Sequence, residues 1–248
     1  MSSKARQKGI LDQLKTGEEL SVKELADLFE TSDITIRRDL VALSEKGLLV
    51  RTHGGAMLPE STSFHQKELR SNAAKASIGK LAASYVKTGD VVFMDCGSTV
   101  FQMCKHLRRL EKLTIITNSL PIVTELLGQP GFTINLAGGE IDAGRKAVHG
   151  SMALEHIARY TADKAFVGVD GFSLANGLSA SGEKEASITL AMAQRAVQTY
   201  LLCDASKLEK DSYLQFANHG LYQHLVTDKA APTELLLSYK AAGISVMQ

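Results

Sequence analysis

The side chains best suited to chemistry fall in a few short clusters. Arg37 and Arg38 stand together in a helical stretch, with Ser32 and Thr35 just before them. An arginine carries a fork of donors that fits phosphate oxygens or the edge of a guanine. Gly97, Ser98 and Thr99 precede a helical pattern running from Val100 to Leu107. A glycine and two hydroxyls at such a place suit a phosphate, because backbone N–H groups point outward and the helix dipole favours an anion. The commoner use of Ser or Thr there is an N-cap. Lys207 ends the run Asp204-Ala205-Ser206-Lys207 and offers a counter-charge, and Arg145 and Lys146 lie in a polar connection from which they could also reach an anion. Asp95, Asp170, Glu183, Glu185 and Lys207 are chemically capable of acid–base work.

Other chemistries find no support in the spacing. Cys96, Cys104 and Cys203 form no CxxC pair, so neither a disulfide framework nor a structural zinc site is expected. The seven histidines, His53, His65, His106, His149, His156, His219 and His224, include no HExxH pattern, and no metal or cofactor is expected. Ser181-Gly182 is not a nucleophile elbow, since no GxSxG occurs.

The elements that must position these groups divide into two sets. A chain of 248 residues favours two domains, and 22% charged residues argue against wholesale disorder. No run approaches about 18 apolar residues, and the polar Met1-Ser2-Ser3-Lys4 start leads into no apolar segment, so a cytoplasmic protein with no membrane partner is expected. Net charge is +1, and residues 1–58 hold nine basic and nine acidic residues. Any nucleic-acid binding must therefore rest on where charge is placed.

Pro59-Glu60-Ser61-Thr62-Ser63 marks a boundary, and 59–71 is expected to be a linker. Before it, Ile10, Leu11 and Leu14 give a helix over 4–15. Ser21 and Glu24 have the spacing of a capping box for a second helix carrying Val22, Leu25, Ala26 and Phe29. A third helix is predicted over 33–46, with Ile36, Leu40 and Leu43 on its buried face and Gly47 as its cap. Leu48–Thr52 and Ala56–Leu58 follow as strands around a His53-Gly54-Gly55 turn. This is the layout of a winged helix-turn-helix. Arg37 and Arg38 lie off its buried face, and Arg51 and His53 could meet flanking phosphates. Taken alone, such an arginine pair is more often a solvated face.

From residue 72 onward, short apolar runs alternate with helical patterns. The runs are 91–94, 113–116, 132–136, 165–169, 200–203 and 225–227. They predict an α/β domain with a mainly parallel, Rossmann-like sheet covered on both sides. Each run ends in polar or glycine residues: Asp95 and Gly97-Ser98-Thr99, Asn118-Ser119, Gly138-Gly139-Glu140, Asp170-Gly171, Asp204 to Lys207, and Asp228. Ligands of open parallel sheets bind outside the strands' carboxyl ends. The recurrence therefore describes a ligand cleft.

Thr35-Ile36-Arg37-Arg38-Asp39-Leu40 followed by Arg51-Thr52-His53-Gly54-Gly55-Ala56 resembles the signature of DeoR-family bacterial transcriptional regulators. The resemblance continues through Asp95-Cys96-Gly97-Ser98-Thr99, Leu113 to Ser119, Ala137-Gly138-Gly139, Gly168-Val169-Asp170-Gly171 and Asp204-Ala205-Ser206-Lys207, and so spans nearly the whole chain. It implies DNA contacts from Ser32, Thr35, Arg37, Arg38, Arg51, His53, Gly54 and Gly55. It also implies a C-terminal domain over 72–248, similar in fold to ribose-5-phosphate isomerase, that binds a phosphorylated sugar. The effector residues expected are Asp95, Gly97, Ser98, Thr99, Asn118, Ser119, Gly138, Gly139, Asp170 and Lys207. His149-Gly150 resembles a family position near that cleft. The partners implied are operator DNA, a sugar phosphate and further copies of the chain, as a homodimer or homotetramer. The function implied is control, as a repressor, of a sugar or polyol operon. One departure is Val100, where the family often has a second threonine.

The competing expectation is an active sugar-phosphate isomerase with an appended DNA-binding module. Isomerases of that fold carry a glycine-rich, lysine-bearing loop after their paired acids. The matching stretch here, Asn176 to Glu183, has no lysine before Lys184, so binding without turnover is expected.

Overall fold

The computed structural model describes residues 3–14, 20–45, 48–52, 54–57, 64–69 and 72–248. His53, Gly47 and Leu58, all named above from sequence, lie outside them. The chain forms two compact units, Met1–Thr62 and Ser63–Gln248.

In the first unit, α1 (Ser3–Leu14), a short β1 (Leu20–Ser21), α2 (Val22–Leu28) and α3 (Asp33–Glu45) precede β2 (Val50–Arg51) and β3 (Gly55–Met57). The Ser21 hydroxyl accepts from the Glu24 amide and the Glu24 carboxylate accepts from the Ser21 amide, the capping box expected from their spacing. Ile10, Leu14, Val22, Leu25, Ile36, Leu40, Leu43 and Leu49 form one core. The sheet has the order β1-β3-β2. β1 leaves no mark in the sequence pattern, because two residues carry no periodicity. Gly55 is confined by this pairing: a Cβ there would lie 2.1 Å from the Leu20 carbonyl oxygen.

The second unit opens with α4 (Phe64–Leu69), a helix within the stretch 59–71 suggested as linker, and α5 (Asn72–Ser84). Then come β4 (Val91–Met94), α6 (Ser98–Phe101), α7 (Cys104–Leu107), β5 (Leu113–Thr117), α8 (Leu120–Leu126) and β6 (Phe132–Leu136). A hairpin, β7 (Glu140–Asp142) and β8 (Ala147–His149), leads to α9 (Ser151–Ala158), β9 (Ala162–Gly168), β10 (Gly171–Ser173), β11 (Gly177–Ala180) and α10 (Glu183–Gln194). β12 (Ala196–Leu202), β13 (Leu214–Ala217), β14 (His224–Val226), α11 (Thr233–Ala241) and β15 (Ser245–Met247) complete it.

Seven strands make one parallel sheet in the order β15-β14-β12-β9-β4-β5-β6. Alternate residues fill opposite layers, as the two-residue period of a strand requires. Phe93, Val167 and Leu201 join α9, α10 and α11 on one face. Val92, Met94, Phe166 and Leu202 join α5 to α8 on the other. Burial on both faces explains why these strands read as continuous apolar runs. β9 starts at Ala162, earlier than its apolar run, because Lys164 is neutralised by Asp90 at 2.6 Å and Asp163 accepts from the Val91 amide. The antiparallel sheet β10-β11-β13 and the hairpin β7-β8 were not foreseen.

From β4 the chain steps outward through β5 to β6, then returns to lay β9 on the other side of β4 and steps outward again through β12 and β14 to β15. The order therefore reverses between β4 and β9. Loops leaving the carboxyl ends of two such strands turn opposite ways and open a crevice.

Candidate functional site

A cavity of about 50 Å³ lies at that reversal point. Its wall includes Asp95 to Thr99 after β4, Gly168 to Asp170 after β9, Lys207 after β12, Glu185 and Thr189 of α10, Phe64 and Lys67 of α4, and Arg145. Three cations, Lys67, Arg145 and Lys207, thus face three carboxylates, Asp95, Asp170 and Glu185. At roughly 10–15 Å³ per water, the space holds only a few waters, so the cavity is nearly filled by its own charged side chains.

Four of the six charges meet in ion pairs. Lys67 Nζ donates to Asp170 Oδ1 at 2.5 Å, and Arg145 pairs with Glu185. Asp170 Oδ2 accepts from the Ser181 amide at 2.9 Å and hydroxyl at 2.5 Å. Burial alone would raise Asp170, but the Lys67 and Lys207 charges and these bonds hold it far below the ordinary carboxylate range. Burial lowers Lys67; Asp170 opposes that, while Arg145 and Lys207 add to it. Lys207 Nζ donates to the Val169 carbonyl at 2.6 Å. Asp95 accepts from the Gly97 amide at 2.8 Å and the Gly168 amide at 2.7 Å, tying the two strand ends together. Burial raises its pKa to about 6 against those two bonds. Cys96 is pushed up to about 11 by burial and the neighbouring Asp95, and so stays a thiol.

The first unit offers a different surface. Ser32 caps α3: its hydroxyl accepts from the Thr35 amide at 3.4 Å and lies 3.0 Å from the Thr35 hydroxyl. Arg37, Arg38 and Arg51 are exposed, and no hydrogen bond or ion pair engages Arg37 or Arg38 among the described residues. Ile34 is 72% exposed at the start of the same helix. Asp39, beside the arginine pair in sequence, is buried and accepts from Arg6 at 2.6 Å, Gln7 at 2.9 Å and Ser3 at 2.9 Å. It ties α1 to α3 and turns inward while its arginine neighbours turn outward.

Residues 6–62 match the model of the DeoR-like helix-turn-helix domain, and residues 70–229 match that of the DeoR C-terminal sensor domain. The chain belongs to the DeoR family. It is 35% identical over 236 residues to the HTH-type transcriptional repressor GlcR of Bacillus subtilis, covering 92% of this chain and 90% of that protein. It is 35% identical to the lactose phosphotransferase system repressor of Lactococcus lactis subsp. lactis, with 92% of each covered. The glycerol-3-phosphate regulon repressor of Escherichia coli is 28% identical, with 95% of each covered. Among solved structures, ribose-5-phosphate isomerase A from Methanocaldococcus jannaschii aligns with 55% of this chain and 54% of its own at 19% identity and a TM-score of 0.40.

Of the residues that the DeoR resemblance implied for an effector, Asp95, Gly97, Ser98, Thr99, Asp170 and Lys207 line the cavity. Asn118, Ser119, Gly138 and Gly139 are not among its lining residues. Asn118 donates from Nδ2 to the Val148 carbonyl at 3.1 Å, and Ser119 caps α8. Both are fully buried and hold the β7-β8 hairpin and α8 in place. Gly139 has φ +146, and a Cβ there would meet the His149 carbonyl oxygen at 2.5 Å. Polar residues after a strand thus split into those facing the crevice and those holding the neighbouring turn. Val100, the departure from the DeoR pattern, is fully buried in the core, where a methyl suits the site better than a hydroxyl. Among the implied DNA contacts, Gly54 is exposed, and its carbonyl accepts from the Val22 amide at 2.9 Å. The sequence reading missed Phe64, Lys67 and Thr189. A lysine in a polar stretch after a proline gives no sign of burial.

Proposed function

We propose that this DeoR-family chain represses a sugar or polyol operon, and that a phosphorylated sugar controls its operator affinity. Residues 1–58 serve DNA, and residues 72–248 together with α4, which brings Phe64 and Lys67 to the cavity, serve the effector. The observation that carries the reading is the cavity itself: three cations beside the buried hydroxyls of Ser98 and Thr99, at the reversal point of a parallel sheet. Cations and hydroxyl donors together suit a phosphate ester. Asp170, Glu185 and Thr189 offer partners for sugar hydroxyls. The names of the relatives, repressors for lactose phosphotransferase and glycerol-3-phosphate systems, point to the same class of signal. On the DNA side, Arg37 and Arg38 reach phosphates or base edges, and exposed Ile34 suits a thymine methyl. A homodimer or homotetramer acting in the cytoplasm fits a two-fold operator.

Asp95 has its carboxylate committed to two backbone amides, which leaves it poorly placed as a base. Binding without turnover is therefore the reading over an isomerase. The test is fluorescence anisotropy on DNA upstream of the protein's own gene at fixed salt, because phosphate contacts make affinity salt-dependent. Glucose 6-phosphate, fructose 1-phosphate, glycerol 3-phosphate and inorganic phosphate are each added. One organic phosphate is expected to shift operator binding, and Ser98→Glu to abolish the shift while DNA binding persists. A response that survives in Ser98→Glu refutes the phosphate assignment. Interconversion of pentose or hexose phosphates by the purified chain overturns the non-enzymatic reading.

A further inference from the structure

The cavity wall includes a segment that no strand-end pattern accounts for. α4 begins at Phe64, immediately after the first compact unit ends at Thr62 and one residue, Ser63, intervenes. It is the first helix that the chain makes on leaving the DNA-binding unit. Its inner side is cavity wall, through Phe64 and Lys67.

Its anchors surround the same cavity. The Phe64 amide donates to the Gly144 carbonyl at 2.9 Å, next to Arg145. The Phe64 ring packs edge-on against Phe101 of α6 at 5.4 Å, and Lys146 lies over it at 5.9 Å. Lys75 of α5, itself buried, donates to the Lys67 carbonyl. The fourth anchor is the ion pair of Lys67 with Asp170. Asp170 itself is held in place by Ser181 through its other oxygen, so the lysine is the movable partner.

The enclosed part of the cavity has room for a few waters, so a phosphate seated beside Ser98 and Thr99 competes for space with the charged side chains of the wall. Of the two ion-paired cations, Lys67 has the long flexible stem and the single point charge, and Asp170 is its rival for any incoming anion. We propose that Lys67 is an anion-binding residue of the sensor site, and that its exchange from Asp170 to the ligand's phosphate carries occupancy into the chain leading to the DNA-binding unit. This rests on the sensor reading above and adds the residue and the segment through which it acts. The exchange removes one anchor of α4 and turns the Lys67 charge toward the ligand. A ligand shifts a conformational equilibrium only by its differential affinity for the two states, and a lysine that changes partner supplies such a difference.

The test uses the full chain as wild type and two variants. Calorimetry with glucose 6-phosphate, glycerol 3-phosphate and inorganic phosphate gives affinities for the wild type, Lys67→Gln and Lys67→Arg. Hydrogen exchange over residues 64–69 reports α4 in the wild type with and without whichever compound binds. The expected results are a loss of about tenfold or more in affinity for Lys67→Gln, from one charge-assisted bond, and recovery of most of it in Lys67→Arg. Ligand should change exchange in α4 of the wild type, and the shift in operator binding that ligand causes in the wild type should be lost in Lys67→Gln. Binding by Lys67→Gln equal to wild type overturns the proposal. So does a wild type that binds ligand with α4 exchange unchanged, a measurement that stands even if Lys67→Gln fails to fold. In both cases the sensor reading survives. Absence of binding by all three compounds overturns the sensor reading and this inference together.

Discussion

The two units use their cations in opposite ways. The first turns Arg37, Arg38 and Arg51 outward, exposed to water. The second turns Lys67, Arg145 and Lys207 inward, where two of the three meet carboxylates. Exposed cations suit a polyanion that arrives with its own counterions to release. Buried, paired cations suit a small anion that must compete with a resident carboxylate, which sets a threshold for binding. Cations thus lie on an open surface in one unit and in an enclosure of paired charges in the other.

The contrast breaks most sharply at Asp39, the one inward-facing charge within the Arg37-Arg38-Asp39 run. Asp39→Ala removes the shared acceptor of Arg6, Gln7 and Ser3. Breaking a buried pair from one side costs about 3 kcal/mol. The loss is expected in the first unit alone. Native-state hydrogen exchange should show faster opening of α1 and α3, with the seven-stranded sheet unchanged. An equal loss in both units, or none, would refute the assignment of Asp39 as the tie between α1 and α3.

That residue also shows what the sequence made legible. Ile36, Leu40 and Leu43 predicted the buried face of α3, and all three are buried, because helical period alone decides which side chains turn inward. Six of the seven strands were visible because both faces of the sheet are apolar, while the edge strand β15, three residues long, gave no apolar run to read. The pairings of Lys67 with Asp170 and of Arg145 with Glu185 were not, since they join residues far apart in the chain and no local period encodes them. Asn118 and Ser119 share their composition with cavity residues, and only the fold separates them. Asp39 stands among residues with an outward role, and the helix turn that buries it became clear only with α1 in place.

A smaller effect sharpens the outward half of the comparison. Arg37→Ala and Arg38→Ala each remove an exposed cation that makes no hydrogen bond or ion pair among the described residues. Operator affinity is expected to fall by about 1–2 kcal/mol per variant, with melting temperature unchanged. If the residue meets phosphate, the loss is uniform across DNA sequences and the salt slope drops by about one; if it meets a base, discrimination at one position relaxes. Unchanged binding in both variants removes this helix from the interface.

The smallest effect separates the two buried carboxylates by the sign of their pH dependence. Burial raises Asp39, but bonds from Gln7, Arg6 and Ser3 and the Arg6 charge bring it below its ordinary 3.8. Its stabilisation is present above that ordinary value and is lost only as pH falls through the depressed one. Burial raises Asp95 to about 6 against its two amide bonds and the nearby charges of Arg145 and Lys207. Its contribution is fully present below 3.8 and is lost as pH rises through about 6. Between about pH 7 and about pH 5, the wild type should therefore gain on the order of 1 kcal/mol relative to Asp95→Asn. Over the same range its difference from Asp39→Asn should stay flat. Comparing each wild-type and variant pair cancels the histidines, which titrate in the same window. Denaturant melts of the three proteins at the two pH values read both differences. A flat difference for Asp95→Asn would mean that water reaches the carboxylate, or that the Arg145 and Lys207 charges outweigh its burial, and that the cavity wall at the end of β4 is more open than its packing implies.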